Sequence, residues 1–280
     1  MLMLAPNIIG FLLFMVLPIF ATLFFSFTEY DLIGTPKFIG LENYAEMFRD
    51  PIIITTLKNT LLFTAITVPI GMAFSLLLAT VLDQRIGMKR FYRGAYFLPS
   101  ITSMVAVSIV WQWIYNPEFG LLNYALSFFG VKGITWLSSS STSLLSIAIV
   151  SIWKNAGYNM MLFLAGLQGI STSYYEASEL DGANKLQQFR YITLPMLSPT
   201  TFFIFVMSII SSFQVFDSVV LMTKGGPGRS SSVLVHYLYQ NAFQYFSMGY
   251  ACAIAYLLFF IVLIVTLFNM RFEKKIKEIF

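Results

Sequence analysis

Six apolar segments of helix-crossing length recur along the chain, at residues 2–27, 59–82, 95–115, 143–167, 199–222 and 248–268. The hydrocarbon core of a bilayer is about 30 Å thick and is crossed by roughly 20 helical residues rising 1.5 Å each. Backbone inside that core must satisfy its own hydrogen bonds, so it crosses as helices or as a closed barrel. Runs of this length select helices. The expected fold is an all-α membrane protein with six transmembrane helices, forming one domain over residues 1–280. Composition agrees: 58% of residues are hydrophobic, 11% are charged, and the mean hydropathy is +0.76. Soluble domains carry about a quarter charged residues. The first run is too long for a signal peptide and lacks a charged leading region, so it reads as the first span despite Pro6 and Pro18.

Basic residues orient the spans. The loop between the second and third carries Arg85, Lys89, Arg90 and Arg93 against Asp83, and the C-terminal tail carries Arg271, Lys274, Lys275 and Lys277. With six spans both lie on one side, which is therefore cytoplasmic, together with both termini. The loop at 28–58 lies opposite, with five acids against three bases. Trp111, Trp113, Tyr115 and Trp136 are expected at the outer headgroup level. The net charge of +4 is spread along the chain, which argues for orientation and against nucleic-acid binding. One cysteine, Cys252, and one histidine, His236, make neither a disulfide framework nor a metal site.

Residues 168–199 form a cytoplasmic loop that is polar for this chain, and two short helices are expected in it. Ser173 followed by Glu176 has the spacing of a capping box for the first. Asp181-Gly182 stops that helix, since glycine accepts a left-handed backbone. The second is expected over 184–191, and Pro195 and Pro199 return the chain to the membrane. Glu176-Ala177-Ser178, Asp181-Gly182-Ala183 and Ile192-Thr193-Leu194-Pro195 resemble, in type and spacing, the EAA loop of permease subunits of ABC importers. Ser178 is the one departure, standing where that pattern has alanine. Gly40-Leu41-Glu42-Asn43-Tyr44 looks like a stretch of the same family, and Trp153-Lys154 and Gly225-Gly226-Pro227-Gly228 are similar to elements of the maltose-type carbohydrate permeases in particular, so the likeness spans nearly the whole chain.

The resemblance implies a type I importer permease of the bacterial inner membrane, moving a sugar or oligosaccharide delivered by an extracellular solute-binding protein. Its implied partners are a second permease and two ATPase subunits, which bind ATP and Mg. Glu176, Ala177, Ser178, Asp181, Gly182 and Ala183 would form a coupling helix docked on an ATPase. On the residues alone, Glu176 could equally cap its own helix and Asp181-Gly182 simply make a turn. The chain has no G-x-x-x-x-G-K-[ST], hence no ATP site of its own and no expected cofactor.

Lys154 and Asp217 are the charges inside the expected spans. Such residues mark function or pair with each other, because an unpaired charge in lipid is expensive. Polar Asn155, Tyr158 and Asn159 on span four, with Ser208, Ser212 and Gln214 on span five, are expected to line a substrate path. Other readings are a permease for amino acids or phosphate, a stand-alone secondary transporter, and a membrane enzyme. The last two lack, respectively, an evident internal repeat and a nucleophile–base or metal constellation.

Overall fold

The computed structural model describes residues 4–84 and 87–277. Arg85 of the basic loop and the side chains of Lys274, Lys275 and Lys277 lie outside the described residues.

Helix α1 (Ala5–Ser26) opens the chain, and its most apolar stretch is exposed throughout. It widens into a π-turn at Leu12–Val16 just ahead of Pro18, which has no N–H for a regular turn. A hairpin of β1 (Thr28–Glu29) and β2 (Lys37–Phe38) follows, then α2 (Glu42–Arg49). Asn43 pins α2 to the end of α1, its amide donating to the Ser26 and Thr28 carbonyls at 2.9 and 3.0 Å.

Helix α3 (Pro51–Asp83) starts eight residues earlier than the apolar run at 59. Pro51 suits a first helical position, and Asp50 caps it, Oδ1 accepting from the Ile52 N–H at 2.8 Å. The other oxygen of Asp50 accepts from the phenols of Tyr237 (2.6 Å) and Tyr250 (2.9 Å). Burial, then the Asp50 contact, pushes the Tyr237 phenol up to about 12, so it remains a donor.

The third expected span is not one helix. Helices α4 (Lys89–Ile101) and α5 (Met104–Ile114) meet at 100°. Pro99 interrupts the backbone ladder near the corner. The carbonyls left over find partners: Thr102 Oγ1 donates to Leu98, Thr102 N–H to Pro99, and Lys154 Nζ to Ser100 at 3.1 Å. Tyr115 is not an interfacial anchor either. It is 1% exposed, donating to the Ser146 carbonyl beneath Trp111 and Trp136.

After α6 (Leu121–Ser127) comes α7 (Ser143–Gln168), then α8 (Thr172–Leu180). Helices α9 (Lys185–Met196) and α10 (Ser198–Phe213) are bent by 65° at Leu197. The fifth expected span, 199–222, therefore ends at Phe213, and α11 (Asp217–Met222) is a separate short helix. Helix α12 (Leu234–Tyr239) precedes α13 (Met248–Lys277). Among the described residues, three helices are long and apolar enough to cross a membrane, or up to five counting each bent pair once. Helix α7, the fourth expected span, falls outside that count. It is about 39 Å long at 26 residues, but carries Lys154, Asn155 and Asn159 at mid-length.

Helices α3 and α7 form the most extensive contact in the fold. Two apolar clusters grip α7. The inner one joins Leu78, Leu82, Met160, Phe163, Leu197 and Ile204. The outer one joins Phe63, Val107, Ile147, Val150, Val219 and Val233. Gly157 lies against α4, where a Cβ would overlap the Tyr96 carbonyl and Phe97 Cα. Gly94, on α4 itself, has open space around it. Gly157→Ala should cost about 1–3 kcal/mol through overpacking, whereas Gly94→Ala should be neutral or slightly stabilising. Thermal unfolding of the two variants in detergent checks this, and equal behaviour would contradict the packing.

Candidate functional site

Between the two clusters the polar middle of α7 opens into a cavity of about 150 Å³. Ser151, Asn155, Tyr158 and Asn159 come from α7, Thr67 and Gly71 from α3, and Ser208, Ser211 and Ser212 from α10. Five of the six expected path residues thus face one space. Gln214 does not: it is the exposed cap residue of α10, where the helix ends. Ser212 is buried and its hydroxyl is committed to Thr64 Oγ1 at 2.9 Å and the Ile209 carbonyl at 2.8 Å. Among the described residues, the side chains of Asn155, Tyr158, Asn159, Ser208 and Ser211 have no hydrogen-bond partner. Their donors and acceptors point to a space with no charged side chain in its lining. Ser151 and Thr67 were missed. Ser151 could have been found, since it stands four residues before Asn155 on the same face.

Lys154 and Asp217 do not form a pair. Lys154 is half-buried and holds the Ser100 carbonyl at the α4–α5 corner. Asp217 is exposed on the first turn of α11, outside any span. The break after Phe213 separates it from the helix on which sequence spacing had placed it.

The loop at 168–199 is a folded helical hairpin. Ser171, not Ser173, caps α8, its backbone extended and its hydroxyl accepting from the Ser173 N–H. Glu176 is then too far along the helix to close a capping box, and its side chain is exposed. The capping box belongs to α9, where Asn184 and Gln187 satisfy each other's backbone N–H groups at 2.8 and 2.9 Å. The second helix also outruns its expected end at 191, continuing through a π-turn at Phe189–Thr193. The Asp181-Gly182 stop holds: Gly182 has φ +83°, the Ala183 N–H reaches back to the Ser178 carbonyl, and the Gly182 N–H to Glu179.

Ser178, the departure from the EAA pattern, joins the hairpin's two arms. Its hydroxyl donates to the Tyr175 carbonyl at 2.8 Å and accepts from the buried Gln188 amide at 3.0 Å. Tyr175 and Thr193 share a further bond at 3.0 Å. Lys185, hydrogen-bonded to Glu179 at 2.6 Å and helped by Gln188, holds the Glu179 carboxyl below its ordinary value. That contribution is present above the ordinary glutamate pKa and is lost as pH falls through the lowered one. The outer surface of the hairpin is uncovered. Leu180 is 90% exposed and Leu186 74%, beside exposed Tyr174, Glu176, Ala177, Asp181 and Gly182.

Residues 71–278 match the family described as binding-protein-dependent transport system inner membrane component. The chain belongs to that family. It is 40% identical over 99% of its length to a probable ABC transporter permease protein, YurN, of Bacillus subtilis, covering 96% of that protein. It is 34% identical over 98% of its length to the arabinooligosaccharides transport system permease protein AraP of the same organism, covering 88%. Its fold superimposes with a TM-score of 0.87 and 25% identity on a bacterial alginate ABC transporter in complex with an alginate pentasaccharide-bound periplasmic protein, covering 98% of this chain and 93% of that one. As a permease of this family the chain is a multi-pass membrane protein and a transport subunit.

Replacing Ser178 by the alanine of the EAA pattern removes the shortest of the buried Gln188 amide's three bonds, leaving the longer ones to the Tyr175 carbonyl (3.3 Å) and Glu179 Oε1 (3.5 Å). Ser178→Ala should cost about 1 kcal/mol locally, a factor of about five in opening. Hydrogen–deuterium exchange of 183–189 should accelerate by that factor while the spans exchange as before.

Proposed function

We propose that this permease forms the membrane path of an ATP-driven importer for a sugar or oligosaccharide, handed over by a solute-binding protein on the outer side. The observation that carries this reading is the cavity between α3, α7 and α10. Its unpartnered groups are amides, hydroxyls and a phenol, and its lining carries no charge. Such a lining suits a neutral polyhydroxyl solute, which exchanges water's hydrogen bonds for neutral ones and for contact with the Tyr158 ring. An amino acid or phosphate calls for countercharges. The AraP relative, named for arabinooligosaccharides, supports the neutral class, and the alginate neighbour, whose cargo is an acidic polysaccharide, supports only the broader saccharide class.

ATP and Mg belong, in this proposal, to two ATPase subunits, and a second permease completes the membrane path. The membrane is the bacterial inner membrane, with both termini cytoplasmic. The hairpin at 168–199 is the surface that meets the ATPase. Its uncovered Leu180 and Leu186 offer an apolar contact, and exposed Glu176 is available for a charge-assisted bond to a basic group.

Asn155→Ala with Asn159→Ala should lower oligosaccharide uptake at least about tenfold, each lost hydrogen bond to the solute being worth about 1 kcal/mol or more. Membrane abundance and ATPase association should stay unchanged. Uptake of labelled oligosaccharide in cells, with quantitative blotting of the permease, measures this; normal uptake would rule the cavity out as the path.

Gly182→Leu tests the coupling surface. A Cβ at Gly182 meets nothing within 4 Å, so the chief internal cost is the left-handed backbone, about 1–2 kcal/mol. The variant should insert normally but lose ATPase co-purification and uptake. Retention of both would remove the hairpin from the coupling role.

A further inference from the structure

A second cavity lies in the loop joining α11 to α12, away from the neutral one. Lys224, Gly225, Arg229, Ser232, His236 and Gln240 line it. The loop is firmly built. The Asn59 amide of α3 donates to the Arg229 and Ser232 carbonyls at 2.9 and 2.8 Å, and Ser143 of α7 meets Ser230 at 2.9 Å. Ser231 bonds both Thr223 and the Gly226 carbonyl at 2.7 Å.

On this frame both cations have left-handed backbones, Lys224 at φ +52° and Arg229 at φ +68°. L-residues adopt that conformation at a cost, and glycine would relieve it. The chain does use glycine next door: Gly225 has φ +79°, and a Cβ there would overlap the His236 ring.

The Arg229 guanidinium is half-buried, 5.6 Å over the Tyr237 ring and 3.5 Å from Gln240 Oε1, so it is held in place. Neither cation has a carboxylate within ion-pair distance; the one ion pair among the described residues is Lys185–Glu179, in the distant hairpin. His236 is 4% exposed, with Nδ1 bonded to Ser232 at 2.8 Å. Burial and Arg229 lower its pKa, so it adds hydrogen-bonding capacity at neutral pH rather than a third charge. A planar, positioned guanidinium with an ammonium beside it matches an oxyanion.

We propose that this cavity is an oxyanion-binding site, taking a carboxylate on the Arg229 fork with Lys224 closing over it. Because the path itself is lined for a neutral solute, the carboxylate is that of an acidic side chain on the docking solute-binding protein, and an acidic saccharide in its place is the other outcome of the test.

The test uses the full chain with its co-purified subunits in lipid nanodiscs, titrated with galacturonate, inorganic phosphate and neutral galactose. Binding is read by calorimetry and needs no transport, so its result is independent of the transport reading. Galacturonate and phosphate should bind saturably and compete, and galactose should not compete with them. Lys224→Gln/Arg229→Gln should weaken galacturonate at least tenfold, and Arg229→Lys, which keeps charge but loses the fork, should be intermediate. Lys224→Gln alone, at an exposed side chain, keeps the test valid if the double variant misfolds, and should weaken galacturonate about threefold. Equal response to galacturonate and galactose, or unchanged binding in these variants, overturns the proposal. If the double variant also weakens the importer's own solute-binding protein in a salt-dependent way, the partner supplies the carboxylate. If only preference for acidic over neutral oligosaccharide falls, the solute supplies it.

Discussion

The seating of α7 between α3 and α4 is the constraint on which the rest depends. Gly157 lets α7 run against the Tyr96 backbone, and apolar clusters hold it above and below. Only because both ends are gripped can its middle be polar, and only because its middle is polar does the protein have an uncharged cavity at mid-length. Lys154 belongs to the same arrangement. One step from the cavity-lining Asn155, it turns away and donates to the Ser100 carbonyl freed where α4 stops. An ionisable group in a span is thereby explained by a helix corner, with no solute required.

The hairpin at 168–199 is organised on the opposite principle. Its two arms are joined by small polar contacts among Ser178, Gln188, Tyr175 and Thr193, while Leu180 and Leu186 near its tip point outward. A segment that buries amide and hydroxyl groups while exposing leucines is stable as a shape and unfinished as a surface. That combination suits transmission of force, since the hairpin can be pushed without first being ordered.

The span pattern, the polar loop, the left-handed Gly182 and five cavity residues were legible in sequence because each depends on local period or on a backbone rule. The misplacements share a different cause. Pro99 and the residues after Phe213 sit in apolar runs that hydropathy reads as continuous, and hydropathy is blind to direction, so a 100° corner and a helix end were both invisible. Ser173 and Glu176 satisfied a spacing rule, but Ser171 took the cap and moved the helix two residues upstream. Tyr115 looked like a headgroup anchor because aromatic content alone says nothing of which ring lies under its neighbours.

Asp50 has a mechanical meaning beyond capping. One carboxylate joins the first turn of α3 to a tyrosine on α12 and another at the start of α13, two elements nearly 200 residues along the chain. The three are fastened to one another at a single point. The carboxylate is thus a rivet through three elements: without it the first turn of α3 loses its cap and both phenols lose their acceptor at one stroke.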